Sequence, residues 1–281
     1  MTKNKSERSD SVQFFTHLAR AFGGAILFSF PLLMTMEMWF LGFHIDSWRL
    51  ALFTLLAVPL LVGLSYYDGF EPTSCLTDDA VDTFVAYAVG FVTATTTLLA
   101  FGIIKLEMSA GEIIGKISIQ AIICSFGAMF AQSLLSGGED ESEEAENRKR
   151  DASYFGELFL MAVGAVFLSM SVAPTEEMSL ISYQMTDWHT FALAVATLLL
   201  MHAFVYAEFR GHEKTTSGDE SFLNVFFRFT VVGYAIVLLI SFYILWTFGA
   251  TDDMNFSEKI RVVVVLGFPA AVGASASRFI L

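Results

Sequence analysis

The sequence predicts an all-α membrane protein, with eight transmembrane helices arranged as two parallel four-helix repeats related by a pseudo-twofold axis along the membrane normal. Three observations lead there. Of 281 residues 55% are hydrophobic, 29 are Phe and only 16% are charged, and mean hydropathy is +0.60, whereas about a quarter of the residues in a soluble chain are charged. The apolar residues fall into eight runs, each close to the roughly 20 residues that a bilayer crossing needs. The first half of the sequence also returns in the second at a shift of 140 positions, the signature of an internal repeat.

The runs lie at about 19 to 42, 48 to 67, 83 to 104, 113 to 136, 155 to 181, 188 to 208, 222 to 248 and 259 to 281. Residues 1–18, "MTKNKSERSDSVQFFTHL", are polar and basic, and the apolar stretch after them is too long for a signal-peptide core, so an uncleaved cytoplasmic segment is expected there. Residues 19–136 make the first four-helix repeat and 154–281 the second. Between them 137–153, "GGEDESEEAENRKRDAS", has the composition of a solvated acidic linker. The net charge of -13 comes mainly from this run and from connectors, and it argues against a nucleic-acid partner.

Lysines and arginines orient the chain, because cytoplasmic connectors retain positive charge. With the N-terminus inside, that side holds Lys3, Lys5, Arg8, Arg20, Arg148, Lys149, Arg150, Arg210, Lys214, Arg228 and Arg278; the other holds only Arg49, Lys105, Lys116, Lys259 and Arg261. Both termini are therefore expected in the cytoplasm. Arg20, Arg228 and Arg278 stand near span ends, where long side chains snorkel to the interface. Cys75 falls in a loop and Cys124 in the fourth span, a spacing that suits neither a disulfide framework nor a thiolate metal site.

The repeat is clearest where "GAILFSFPLLMTMEM" (24–38) lies over "GAVFLSMSVAPTEEM" (164–178): Gly24, Ala25, Ser29, Thr35, Glu37 and Met38 match Gly164, Ala165, Ser169, Thr175, Glu177 and Met178. The shift also pairs Trp48 with Trp188, Tyr66 with Tyr206 and Asp68 with Glu208, and after small gaps "FGAMFAQSLL" (126–135) lies against "VGASASRFIL" (272–281). Four spans per half bring both halves into the membrane from the same side, so equivalent residues lie at equal depth. Glu37 and Glu177 then meet at one level if the first spans face the axis.

An unpaired carboxylate inside a membrane is costly and is a functional-site hypothesis by default. Pro31 and Pro174 precede these glutamates by six and three residues; each removes a backbone donor and frees a carbonyl. Carbonyls, the hydroxyls of Thr35, Thr175, Ser29 and Ser169, and the carboxylates of Glu37, Glu177 and Glu176 offer oxygen ligands for a hard cation such as Na⁺ or Ca²⁺. Alternatively the two glutamates share a proton, or both sit near the outer headgroups and face water. Glu176 has Met36 as its counterpart, so the pair is not symmetric. Glu112, Lys116 and Gln120 share one face of the fourth span, where an outer-end ion pair is the expectation. His202 is a second-tier candidate for proton relay, and Asp68 and Glu208 for an inner acidic vestibule or for helix caps.

The motifs "MTMEMW" (34–39) and "APTEE" (173–177), with the length and the eight spans, resemble a bacterial family of integral membrane proteins that bear domain of unknown function 2391. The resemblance implies a multi-pass protein of the bacterial inner membrane and transfers no activity. From the residues, the expected function is a cation or proton translocator, channel or carrier, with a carboxylate site at the repeat interface. It needs no cofactor beyond a bound Na⁺ or Ca²⁺, and its partners are the lipid bilayer, the ion and, for a pore, further copies as a homo-oligomer. A non-transporting scaffold or pH sensor is the alternative. An intramembrane enzyme is the weakest reading, since no HExxH, GxSxG or facing aspartate pair is present.

Overall fold

The computed structural model describes residues 2–68, 76–105, 107–135, 153–212, 224 and 226–280. The chain divides into two compact units, Met1–Asp151 and Ala152–Leu281. All regular structure among the described residues is helical, and eight helices are long and apolar enough to cross a membrane.

The first unit contains α1 (Thr2–Leu33), α2 (Met36–His44), α3 (Ser47–Asp68), α4 (Leu76–Ala100) and α5 (Ala110–Leu135). Its centre is α5, on which the other four pack; every residue from 119 to 131 is buried, as expected of a helix that is apolar all round. Between helices in lipid there is little hydrophobic gain, so close van der Waals packing of small residues must hold them together. Gly24 of α1 provides it: a Cβ there would lie 2.6 Å from the Gly127 carbonyl oxygen and overlap the Cβ of Ala131. Further along, α2 presses Gly42 against Gly115 and Lys116.

The second unit contains α6 (Tyr154–Val172), α7 (Glu176–Gln184), α8 (Asp187–His212), a π-helical turn (Phe226–Val231) leading into α9 (Val232–Thr247), and α10 (Phe256–Ile280). Here α10 is the helix on which α6, α7, α8 and α9 pack. Gly164 of α6 faces the Gly273 carbonyl, and its Cβ would fall 2.7 Å from the Ser277 side chain. The acceptor helices carry Gly127-x-x-x-Ala131 and Gly273-x-x-x-Ser277, the small-xxx-small pattern that lets membrane helices approach closely. Both α4 and α9 end in a left-handed glycine, Gly102 (φ 66°) and Gly249 (φ 76°). The amide after each glycine reaches back, Ile103 to Leu98 and Ala250 to Leu245, closing a Schellman turn.

Three expected boundaries are corrected. The first and fifth apolar runs are not continuous helices: they break at 34–35 and at 173–175 and resume as the nine-residue α2 and α7, each about 13 Å long and too short to cross alone. Proline explains both places, Pro31 in the last turn of α1 and Pro174 between α6 and α7. The third helix starts at Leu76 rather than 83, which draws Asp79 and Asp82 into its first two turns. Of the expected linker, 137–152 lies outside the described residues; Ser153 caps α6, accepting from the Gly156 amide at 3.3 Å.

Candidate functional site

At the first break α1 ends on carbonyls that its own ladder no longer satisfies. Thr35 is extended (φ -88°, ψ 132°), and both its amide (3.1 Å) and its hydroxyl (2.9 Å) donate to the Leu32 carbonyl. The Trp39 indole donates to the Leu33 carbonyl at 2.8 Å. The second break repeats this geometry around Thr175 (φ -78°, ψ 139°), whose amide (3.1 Å) and hydroxyl (2.9 Å) donate to the Val172 carbonyl. Ser179 stands where the first unit has Trp39, so the Ala173 carbonyl has no indole donor. The carbonyls at the ends of α1 and α6 are thus partly occupied, by the threonines and one tryptophan, and only their remaining lone pairs are open to a cation.

The carboxylates follow at once, Glu37 in the first turn of α2 and Glu176 and Glu177 in the first turn of α7. Neither threonine side chain caps the short helix that follows it. Each helix start therefore has no side-chain cap and presents the positive end of its dipole, which stabilises a nearby carboxylate by about 0.3–1 kcal/mol. A charge that looked stranded in mid-span thus sits at a helix start. Glu37 is half-buried, whereas Glu176 and Glu177 are exposed. Six residues before each threonine, Ser29 and Ser169 are fully buried; among the described residues the Ser169 hydroxyl meets no hydrogen-bond partner, whereas Ser29 has the Cys124 thiol beside it.

Packing fixes the depth of each break within its own unit. Along α5, Gly24 is level with Gly127 and Gly42 with Gly115 and Lys116, so the break at 34–35 falls beside the middle of α5. In the second unit, Gly164 faces Gly273, and Arg261 near the start of α10 donates to the Met185 carbonyl (3.2 Å) and to Asp187 (2.7 Å) at the far end of α7. The break at 173–175 lies between these contacts. Each pair, α1 with α2 and α6 with α7, therefore runs along one central helix with an interruption beside it, and α1 and α6 are each long and apolar enough to cross a membrane alone. Thr35 and Glu37 belong to the first unit; Thr175, Glu176 and Glu177 belong to the second.

His202 of α8 is buried, with Nδ1 2.9 Å from the Thr230 hydroxyl in the π-helical turn and its ring edge-on to Phe226. The side chains of Asp68, Glu208 and Arg278 and the loop with Cys75 lie outside the described residues. The structure adds two acidic residues that sequence reading left in a wet connector. Asp79 (2% exposed) and Asp82 (9%) of α4 are both buried, at 3.5 and 3.3 Å from the Ser65 hydroxyl of α3. Their i, i+3 spacing on the stripe that continues through Ala86 was the available signal. Among the described residues no three His, Cys, Asp or Glu side chains gather into a metal set.

The expected Glu112–Lys116 ion pair is present at 3.3 Å, but Lys116 is buried under α2 rather than solvated. One turn deeper, Gln120 is fully buried, and among the described residues neither its amide nitrogen nor its oxygen has a partner. Leu266, which precedes Gly273 by the same seven residues as Gln120 precedes Gly127, is the buried apolar residue of α10. Because an orphaned buried polar group costs about 1–3 kcal/mol, Gln120→Met is expected to raise the melting temperature of detergent-solubilised protein by a few degrees; an unchanged or lower value would show that the amide is satisfied in the membrane.

Comparison with known proteins places these features in a family. No curated protein and no solved structure matches the chain. The family model described as "Putative integral membrane protein (DUF2391)" matches residues 17–281, which takes in all eight long helices but for the start of the first, and both breaks. The chain belongs to this family of integral membrane proteins.

Proposed function

We propose that the protein translocates a cation or a proton across the bacterial inner membrane, with Glu37 and Glu177 as the ion-binding carboxylates. The observation that carries this reading is the duplicated helix break. At a shift of 140 residues the same extended threonine donates twice to the same carbonyl, and a glutamate follows two residues later. The packing glycines and the closing turns of α4 and α9 support a common ancestry of the two units. Broken helices that hold ions at their open ends are a recurrent device of membrane transport. At each break a Na⁺ or Ca²⁺ ion takes oxygens from the carboxylate and the nearby carbonyls, or the carboxylate carries the proton.

The test is direct. Purified protein in liposomes, given in turn gradients of H⁺, Na⁺, K⁺ and Ca²⁺ with a fluorescent reporter inside, is expected to pass at least one of them faster than protein-free vesicles. Leak-level flux for all four would leave the scaffold or sensor reading in its place.

A further inference from the structure

We propose that Arg228 is a binding site for the phosphate of an anionic phospholipid headgroup. Arg228 lies in the π-helical turn at the start of a candidate span, and Tyr154 opens another; each residue therefore stands at a span end, where headgroups lie. The guanidinium carbon is 4.7 Å from the centre of the Tyr154 ring and 5.6 Å from that of Phe229. Those two rings meet edge to face at 5.2 Å, and Phe229 is buried, so the cation rests on a fixed aromatic floor. The Tyr154 hydroxyl also donates to the Arg228 carbonyl at 2.8 Å. One tyrosine thus braces the backbone of the widened turn and supports the charge above it.

Among the described residues no anion is paired with this cation, and the side chain is exposed. A guanidinium carries five donors in a planar fork that matches phosphate oxygens two at a time, and cation–π contact uses only its face. The donor edge is left for a ligand. Phe155 (79% exposed) and Phe227 (62% exposed) flank it on the two helices, apolar neighbours suited to the glycerol and upper acyl region of the same lipid. With a net charge of -13, the chain as a whole does not attract anionic lipid, so any preference must come from a local site such as this. The inference is independent of whether the protein transports anything.

Native mass spectrometry of the full-length protein, with titrated phosphatidylglycerol, phosphatidylcholine or inorganic phosphate, tests it. Wild type is expected to retain phosphatidylglycerol preferentially. Arg228→Gln should lose about tenfold in affinity for it, the worth of one charge-assisted pair, and Arg228→Lys should fall between. Melting temperatures in phosphatidylcholine alone check that the variants fold. Equal retention of phosphatidylglycerol by wild type and folded Arg228→Gln would overturn the assignment, as would equal retention of the zwitterionic lipid. If Arg228→Gln does not fold, Arg228→Lys decides: unchanged affinity for phosphatidylglycerol overturns the forked contact. Binding of inorganic phosphate as tight as that of the lipid would show a free-anion site instead.

Discussion

Gly24→Ala is expected to destabilise the first unit, while the same change at its neighbour Gly23 leaves stability unchanged or slightly improved. An added Cβ at Gly23 meets nothing within 4 Å; at Gly24 it meets the Gly127 carbonyl oxygen at 2.6 Å and overlaps Ala131. Backbone and a methyl stub cannot swing aside, so α1 must move off α5. Overpacking of this kind costs about 1–3 kcal/mol, which outweighs the roughly 0.5–1 kcal/mol that alanine gains over glycine inside a helix. Gly164→Ala meets the Gly273 carbonyl and Ser277 in the second unit and should behave like Gly24→Ala. Thermal unfolding of solubilised protein reads the difference, at about 2–4 °C per kcal/mol for chains of roughly this size. If the Gly23 and Gly24 variants melt together, the close crossing does not carry the unit.

The crossings were partly legible in the sequence because they rest on residue identity. Gly24 and Gly164 matched under the shift of 140, and Gly127 and Gly273 matched in the later, gapped alignment. The breaks were half legible. Pro31 and Pro174 signalled a kink, but hydropathy runs without interruption from 19 to 42 and does not register one extended residue; that Thr35 would be it depends on its hydroxyl reaching the Leu32 carbonyl. Asp79 and Asp82 were missed for a different reason. Acidic residues ahead of an apolar run read as solvated, and only the packing of α3 against α4, with Ser65 opposite, shows them buried. Sequence spacing also hid the burial of Lys116, which follows from Gly42 letting α2 lie flat on α5.

Glu37→Gln and Glu177→Gln are each expected to cut ion flux by about tenfold or more while leaving the fold intact. Glutamine keeps the shape of glutamate and its place at the helix start, and gives up only the dipole interaction of about 0.3–1 kcal/mol, a shift of a few degrees at most. An ion held by a carboxylate, by contrast, loses a charged ligand when glutamine replaces it, a loss of about 1.5–3 kcal/mol and so on the order of tenfold to a hundredfold in binding. Losses that multiply in the double variant mark the two carboxylates as independent, whereas groups that act as one unit are non-additive. Glu176→Gln is the internal control, since Met36 occupies the matching position in the first unit; it should retain most of the flux. Liposome flux and melting temperature measured on the same preparations decide among the readings. Flux that survives both substitutions removes the glutamates from the transport path. Flux that falls only in step with melting temperature makes them packing residues, held at the starts of α2 and α7 by the helix dipole alone.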